Sequence, residues 1–342
     1  MTLLTLSQTL GNSAAFVQQC RALDASTPET QSALRAAGVA EQVLIGMKQY
    51  PVDAAVQAAG CHALWKLADQ EDKECDLVVP AVPDAVLAAS RGFLAMADVQ
   101  EEALRALRFI CRVEANSVNV TAANGIEAVV AAMRAHAAVA AVQEQGCGAL
   151  ANIAVDSKDN KAKVAAKGGI EAVVAAMRAH ATEAAVQENG CRALLSIAAL
   201  DANKAKVAEA GGIEAVVAAM RAHAAEAAVQ EEGCGALLSI ACLDANSVKV
   251  AEAGGIEAVV AAMTAHAAVA AVQEQGCWAL ANFAVYSKDN PEMHRLVREA
   301  GAVALADQAI ANHGKVHPGV KQQADRLKTN VAKRGVWGML GL

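Results

Sequence analysis

Aromatic residues are scarce in this sequence: 342 residues include three Trp, two Tyr and four Phe, although hydrophobic residues as a whole make up 55%. A β-sheet protein draws heavily on aromatic and β-branched residues, so this composition argues against a β-rich core. Much of the apolar content is alanine, which has the best helix propensity and lets helix backbones approach closely. The composition therefore predicts an all-α protein of closely packed helices.

The chain also lacks an excess of positive charge. Its 29 Lys and Arg face 36 Asp and Glu, for a formal net charge of −7. A nucleic-acid-binding protein normally carries a basic face, so we expect no nucleic-acid partner. The Ala/Val-rich runs are interrupted by Glu, Arg or His well before the ~20 apolar residues of a membrane-spanning helix, so we expect no membrane insertion.

Disulfide, secretion and catalytic signatures are missing as well. The nine cysteines include no CxxC pair, which is typical of free thiols in a reducing compartment. The first ten residues, MTLLTLSQTL, have no basic region, so we expect no secretory signal. We find no GxSxG, GxxxxGKS/T, GxGxxG or HExxH motif, and predict a non-enzymatic protein without catalytic residues or cofactor. The cytoplasm is the expected location, with the nucleus also possible.

What the sequence does contain is a repeat of about 43 residues. A Val-Gln motif begins at positions 56, 99, 142, 186, 229 and 272, at successive spacings of 43, 43, 44, 43 and 43. Weaker versions are FVQQCRAL at 16–23 and VKQQADRL at 320–327. The central units are nearly identical, which indicates either recent internal duplication or deliberate construction. Repeats of this length are typical of helical solenoids.

Each unit divides into three predicted helices. The first follows an Asn that we expect to be its N-cap, at Asn160, Asn203, Asn246 and Asn290. Pro291 is expected at the first helical position after Asn290. A pair of glycines, such as 211–212, is expected to end this helix in a left-handed turn. The second helix is IEAVVAAMRAH, and the third, longer helix carries the Val-Gln motif.

A short helix, a glycine turn, GIEAVVAAM and VQExGCxALxxIA in this order resemble the armadillo repeat over residues 30–310, with the HEAT repeat as the runner-up. The resemblance implies a right-handed α-solenoid of about six to eight three-helix repeats. We predict N-terminal capping helices at 1–37, a repeat array at 38–313, and a C-terminal capping helix with an apolar tail at 314–342. Because DQEDKECDLVVPAVP at 69–83 contains acidic residues and two prolines, we expect an irregular connection there.

Helical phase separates two faces of the third helix. Counted from the motif valine as offset 0, at about 100° per residue, offsets 1, 4, 5, 8, 11 and 12 share one face, which we expect to be packed. Offsets 2, 6 and 10 point nearly the opposite way. In armadillo proteins the third helix lines a concave groove, so the resemblance implies that these offsets do too.

In peptide-binding members such as importin alpha, offset 6 is typically Trp and offset 10 typically Asn. The resemblance thus implies peptide contacts at this chain's residues on the same face. These residues are Trp278, Asn282, Ser239, Ser196, Asn152 and Arg192. Trp278 and Asn282 are the one complete Trp/Asn pair.

Offset 2 carries a glutamate in five repeats: Glu101, Glu144, Glu188, Glu231 and Glu274. Such a stripe would make the groove negative and favour a basic ligand. The simpler interpretation is a solvated helix face, with each glutamate interacting with its helix dipole. We predict a protein-interaction scaffold that binds an extended, basic protein segment in an acidic groove. The alternatives are a structural subunit of a cytoskeletal or ciliary assembly, and a nuclear-import adaptor; the chain would be a monomer or part of a hetero-assembly.

Three further residue series recur once per repeat. The histidines at 136, 180, 223 and 266 are expected to stand at the end of the second helix, too far apart to share a metal. The offset-5 cysteines, such as Cys234, are expected to be buried packing residues. The offset-4 glycines, such as Gly233, are expected where another helix approaches closely. The terminal VWGMLGL at 336–342 is expected to cap the last repeat, or else to dock on a partner.

Overall fold

The computed structural model describes residues 10–23, 25, 27–69, 81–155, 157–286 and 291–339, of which 244, 286, 291, 292 and 333–339 are described by backbone alone. Within these residues the chain forms 21 α-helices and no strand. The chain divides into two compact units, residues 1–172 and 173–342.

The N-terminal unit begins with a helix that resembles a third helix and continues in the order first, second, third, except that the second helix α5 is the next described helix after the third helix α4. The helices are α1 (Ser13–Arg21), α2 (Pro28–Ala36), α3 (Val39–Gln49), α4 (Ala54–Ala68), α5 (Ala81–Gly92), α6 (Ala97–Ile110), α7 (Glu114–Ala122), α8 (Gly125–Ala135), α9 (Ala140–Ala154) and α10 (Lys158–Ala166). The helix α11 (Gly169–Ala179) spans the boundary between the units.

The C-terminal unit continues the same helix order. Its helices are α12 (Ala184–Ala198), α13 (Asp201–Glu209), α14 (Gly212–Ala222), α15 (Ala227–Ala241), α16 (Asp244–Glu252), α17 (Gly255–Ala265), α18 (Ala270–Tyr286), α19 (Pro291–Glu299), α20 (Ala302–His313) and α21 (Pro318–Met339). Third helices pack side by side, α12 on α15, α15 on α18, and α18 on α21. The predicted start of α19 at Pro291 is confirmed, while Asn290 and the last three residues of the chain lie outside the described residues.

The turn between first and second helices depends on a left-handed residue. Gly211 and Gly254 have φ of 81° and 80°, which a glycine adopts without the steric cost of a Cβ. Asn124 takes this position in α7–α8 with φ of 57°, and Asn is among the few other residues that tolerate it. The predicted glycine turn is confirmed.

The predicted N-cap role is wrong for Asn160, Asn203 and Asn246, which lie inside their helices. Asn160 and Asn203 are the third residues of α10 and α13, and the side-chain cap of α10 is Ser157. The Asn203 side chain, 1% exposed, instead donates from Nδ2 to the carbonyl of Ile197 at 3.1 Å. It therefore satisfies an end carbonyl of the preceding third helix, a group that has no partner within its own helix.

The packed face of the third helix contains one conspicuous polar residue, the glutamine at offset 1. Gln230 is 2% exposed, and its Nε2 donates to the carbonyls of Met220 at 2.9 Å and His223 at 2.8 Å. These carbonyls end the second helix α14, so the buried amide caps that helix. The arrangement recurs at Gln143 in the N-terminal unit.

The offset-4 glycines make room for a methionine of the second helix in the same repeat. A Cβ at Gly233 would lie 2.5 Å from Met220 Cγ and 2.9 Å from its Sδ, which confirms the predicted close approach. In the repeat where this position is Ala103, the methionine position holds Ser90. The two helices thus match a larger side chain on one with a smaller one on the other.

The predicted burial of the offset-5 cysteines is confirmed. The side chains of Cys61, Cys147, Cys191, Cys234 and Cys277 are 0% exposed. Burial raises the pKa of the Cys147, Cys234 and Cys277 thiols to about 12. Such thiols stay protonated and unreactive at neutral pH, in keeping with a packing role.

Two side chains of the second helices link one repeat to the next. Arg221 Nη2 donates to the carbonyl of Ala253 at 3.2 Å. His266, at the predicted end of α17, donates from Nε2 to the carbonyl of Ala224 at 2.8 Å. The repeating histidines are therefore hydrogen-bond links between repeats.

The expected irregular connection at 69–83 ends earlier than predicted. Residues 70–80 lie outside the described part, but α5 already begins at Ala81 and contains Pro83. Pro83 is the third residue of α5, where a backbone N–H has no acceptor within the helix. A proline is therefore compatible with the first turn, although it would break the helix interior.

Candidate functional site

The candidate site is the third-helix face, which we define as the side chains at offsets 2, 3, 6, 9 and 10 of the third helices. Its predicted residues are mostly half-buried, including Trp278, Arg192, Asn152, Ser196 and Ser239. Asn282 is 5% exposed. The five glutamates are also half-buried, but their charge partners differ between the two units.

In the N-terminal unit the glutamates have arginine partners. Glu101 Oε1 lies 2.6 Å from Arg105 Nη2, and Glu144 Oε1 lies 3.1 Å from Arg108 Nη1. The Arg108 side chain crosses from α6 to α9 to reach Glu144. The negative charge at these two positions is consequently balanced within the chain.

In the C-terminal unit, no ion pair with Lys or Arg involves Glu188, Glu231 or Glu274 among the residues that the structure describes. Burial, together with the charges of Glu188 and Glu274, raises the pKa of Glu231. Since like charges on neighbouring helices disfavour the ionised form, these carboxylates are close enough to repel one another.

A fourth carboxylate, Glu232 at offset 3, belongs to this cluster. Its pKa is raised to about 7, mainly by burial, with the charge of Arg192 lowering it and the charges of Glu231 and Glu188 raising it. We refer to Glu188, Glu231, Glu232 and Glu274 as the acidic cluster. Sequence reasoning missed Glu232 because offset 3 holds Gln or Asn in neighbouring repeats, as at Asn189 and Gln275.

Glu274 stands apart from the other members because of the helix that follows. Its carboxylate packs directly against Gly319 in the first turn of α21, where a Cβ would lie 2.7 Å from Glu274 Oε1. The start of a helix presents unpaired N–H groups and a partial positive charge. The α21 N-terminus therefore provides a favourable environment for Glu274 that Glu188 and Glu231 lack.

The two offset-10 asparagines use their amides within the array. Asn152 Nδ2 donates to the main-chain carbonyl of Arg108 at 2.6 Å. Asn282 Nδ2 lies 3.7 Å from the Cys242 sulfur, and the Cys242 thiol donates to the carbonyl of Leu238. The buried Asn282 Oδ1 has no hydrogen-bond partner among the described residues.

Arg192 is the one predicted cation of the third-helix face. Its Nη2 donates to Asn189 Oδ1 at 2.6 Å on the same helix, while its buried Nε has no partner in the described part of the chain. Because Arg192 also lowers the pKa of Glu232, it partly offsets the acidic cluster. One cation nevertheless faces four carboxylates.

An aromatic group in the N-terminal unit was not among the predicted site residues. The Trp65 and Phe109 rings stack at a centroid distance of 5.6 Å, and the Trp65 Nε1 donates to Glu102 Oε2 at 3.0 Å. Lys66 lies over Trp65 at 4.5 Å. Trp65 occupies offset 9, and no contact was predicted there because the peptide-binding pattern uses offsets 6 and 10.

Metal-ligand groups and membrane-spanning helices were sought in the described part of the chain. There, no three His, Cys, Asp or Glu side chains are grouped as metal ligands. No helix of that part is long and apolar enough to cross a membrane.

Comparisons with known proteins agree with this architecture. The family model described as LRRK2 ARM repeat matches residues 34–161. An engineered protein solved by the Northeast Structural Genomics Consortium is similar, with a TM-score of 0.77 and 27% identity over 96% of this chain and 77% of that one. A designed armadillo repeat protein in complex with the peptide (KR)4 has a TM-score of 0.61 and 21% identity, over 73% of this chain and 99% of that one. No curated protein matches the sequence.

The repeated order of short first, second and long third helices defines an α-solenoid. Taken with the family match over residues 34–161 and these structural relatives, it shows that the chain has the fold of armadillo-repeat solenoids. This fold is typically non-enzymatic and suits a protein-binding role.

Proposed function

We propose that the chain is a non-enzymatic scaffold that binds an extended, basic protein segment on the third-helix face of α12, α15 and α18. The observation that carries this proposal is the acidic cluster, whose carboxylates have a single arginine among them. A ligand cation next to Glu231 and Glu232 would favour their ionised forms and relieve their mutual repulsion. The (KR)4 peptide bound by a designed armadillo repeat protein supports the same ligand chemistry.

Neighbouring polar groups on this face suit the main chain of such a segment. Ser196 and Ser239 each offer a hydroxyl that both donates and accepts. The unpaired Asn282 Oδ1 would accept an N–H if the ligand reached it, and Trp278 offers an apolar wall. Third helices pack at about 8–10 Å and an extended chain advances about 3.3 Å per residue, so two to three ligand residues would pass each helix.

The balanced glutamates of the N-terminal unit suggest a smaller contribution from that unit. Glu101 and Glu144 already have Arg105 and Arg108 as partners. A ligand cation would have to compete with these arginines, and the gain from an exposed pair is at most about 1 kcal/mol. We therefore assign most of the affinity for cations to the acidic cluster. The cytoplasm, or the nucleus, remains the proposed location.

The test is calorimetric titration of the full chain with the peptide (KR)4. We expect saturable binding that weakens as the salt concentration rises. The double variant Glu231→Gln/Glu232→Gln should bind about tenfold more weakly, a loss of roughly 1.4 kcal/mol. Trp278→Ala/Asn282→Ala should also weaken binding.

The matched control is Glu101→Gln/Glu144→Gln, which removes two glutamates that already have arginine partners and should leave the affinity nearly unchanged. Equal losses in both glutamate pairs would contradict the assignment to the acidic cluster. A folded wild-type chain that does not bind (KR)4 would refute the proposed function, and tight co-purification with fixed, salt-insensitive stoichiometry would then favour a structural subunit.

A further inference from the structure

A cleft lies between the second helices α3 and α5 of the N-terminal unit, away from the third-helix face. It encloses about 390 Å³, and its lining includes Leu44, Met47, Ala85, Ala88, Lys48 and Asp84. Lys48, Asp84 and Ala88 are exposed, so the cleft opens to solvent. Its walls are mainly apolar, with one ammonium and one carboxylate group.

Between several other pairs of successive second helices, an arginine near the end of the first helix reaches the turn before the second, although α17 has Thr264 at this position. Arg221 on α14 reaches the turn before α17, where its Nη2 donates to the carbonyl of Ala253 at 3.2 Å. Arg178 on α11 reaches Gly211 before α14 at 3.4 Å. Arg91 on α5 likewise hydrogen-bonds the turn before α8.

A carboxylate accompanies the guanidinium at these turns. A Cβ at Gly254 would lie 3.4 Å from Arg221 Cζ and 3.6 Å from Glu257 Oε2, so the two charged groups converge on the same turn. The same arrangement surrounds Gly211, with Glu214 as the carboxylate. An arginine that bonds the main chain of the turn and a glutamate of the following helix thus flank the same turn repeatedly.

The cleft between α3 and α5 keeps the carboxylate but lacks the arginine. Asp84 stands 43 residues before Glu127 and occupies its place, while Lys48 replaces Arg91. Asp84 forms no ion pair with any residue that the structure describes. The histidine hydrogen bond between repeats is missing here as well. Phe93 occupies the position that His136 has in the next repeat, and His136 hydrogen-bonds the carbonyl of Leu94.

We propose that this cleft is a docking site for an arginine side chain of a partner protein. The incoming stem would pack on Ala85, Ala88 and Leu44, and the guanidinium would pair with Asp84, which takes the place that Glu257 has beside the turn bonded by Arg221. Arginine suits the site better than lysine because its planar head is weakly hydrated and bonds a carboxylate through two N–H groups. This contact is separate from the acidic cluster, so a partner could use either without the other.

The experiment follows methyl signals of Leu44, Ala85 and Ala88 in the full chain during titration with N-acetyl-arginine amide. We expect saturable shifts with a dissociation constant in the millimolar range, since a single side chain is a small ligand. The neutral isostere N-acetyl-citrulline amide should bind more weakly by about fivefold, because the ion pair with Asp84 is exposed. N-acetyl-leucine amide tests for purely apolar binding.

Two variants with a matched control make the result specific. Lys48→Arg should abolish the shifts, since the chain then fills the cleft with its own arginine. Asp84→Asn should weaken binding of the arginine probe to the level of citrulline. Glu127→Gln makes the same type of change beside the turn that Arg91 already bonds and should have no effect. The proposal is overturned if the leucine probe binds as well as the arginine probe, if no shifts occur, or if Lys48→Arg leaves them unchanged.

Discussion

Single residues of this chain behave differently at the same repeat position because their neighbours differ. Glu144 and Glu231 share offset 2, yet Arg108 pairs with Glu144, while like charges and burial raise the pKa of Glu231. The difference comes from offset 9 of the preceding third helix. This residue is Arg108 in the helix before Glu144 but Leu195 in the helix before Glu231. One neighbouring side chain therefore determines whether the glutamate at this offset has a cationic partner.

Glu232→Gln should stabilise the protein at pH 8 but not at pH 5. The pKa of Glu232 is raised from 4.5 to about 7, so the folded state holds this proton more tightly than the unfolded state. The cost of ionising the buried carboxyl group appears as the pH rises from about 4.5 through 7, and it reaches about 3 kcal/mol above that range. Glutamine avoids this cost because it has no charge.

Urea unfolding of the wild type and the variant at both pH values measures the difference. The charged groups that act on this carboxyl group are Arg192, Glu231 and Glu188, and the variant leaves all three side chains in place. Glu101→Gln serves as the control, since it removes a carboxylate already paired with Arg105 and should give no stabilisation at pH 8. An equal gain at pH 5 and pH 8 would rule out an ionisation effect.

At the scale of helices, the second and third helices of a repeat form one packed pair. Gly233 admits Met220 against the α15 backbone, and Gln230 closes the end of α14 with two hydrogen bonds. Core packing at this density leaves little room for an added methyl group. The packing of α14 against α15 therefore constrains the side-chain size at both Gly233 and Met220.

Gly233→Val should destabilise the protein by roughly 1–3 kcal/mol, because the added methyl groups overlap with Met220. Thermal or urea unfolding measures the loss. An unchanged melting temperature would contradict the observed close approach.

A matched pair of substitutions tests the packing itself. Gly233→Ala with Met220→Ser reproduces the Ala103 and Ser90 pair that the chain already contains. We expect the double variant to be less destabilised than the sum of the two single variants, with a coupling of roughly 0.5–3 kcal/mol. Strict additivity would show that the two positions are energetically independent.

At the scale of the whole molecule, stability depends on contacts between successive repeats. In a solenoid each repeat contacts only its neighbours, so weakening one interface reduces the cooperativity of unfolding. Arg221 and His266 bridge the same interface in the C-terminal unit, in opposite directions along the chain. They supplement the apolar packing between α15 and α18.

Arg221→Ala/His266→Ala should lower stability by about 1–3 kcal/mol, the sum of two modest hydrogen bonds, and should broaden the unfolding transition. Urea unfolding gives the midpoint and the slope, and hydrogen exchange locates the repeat that opens first. Arg298→Ala, an exposed last-turn substitution on α19, is the control. A sharp transition with unchanged slope would argue against a role of these bonds in coupling the repeats.

The sequence alone determined the armadillo architecture, the helix order, the glycine turns, and the buried cysteines and glycines. These features follow from local backbone preferences and from helical phase, which a period of 43 residues repeats until the pattern is unambiguous. It also indicated the glutamate series and the Trp278–Asn282 pair, whose binding role remains a prediction.

Only the tertiary structure decided which polar groups meet. Asn203 hydrogen-bonds the preceding helix rather than capping its own, and Arg108 forms an ion pair with Glu144. Glu232 belongs to the acidic cluster. An open cleft lies beside Lys48, at the position that Arg91 and Arg221 hold in other repeats. Several of these contacts join residues about one repeat apart, and they depend on how far a long side chain reaches across a helix interface. Periodicity fixes the face on which a side chain stands, but packing between repeats determines its partner.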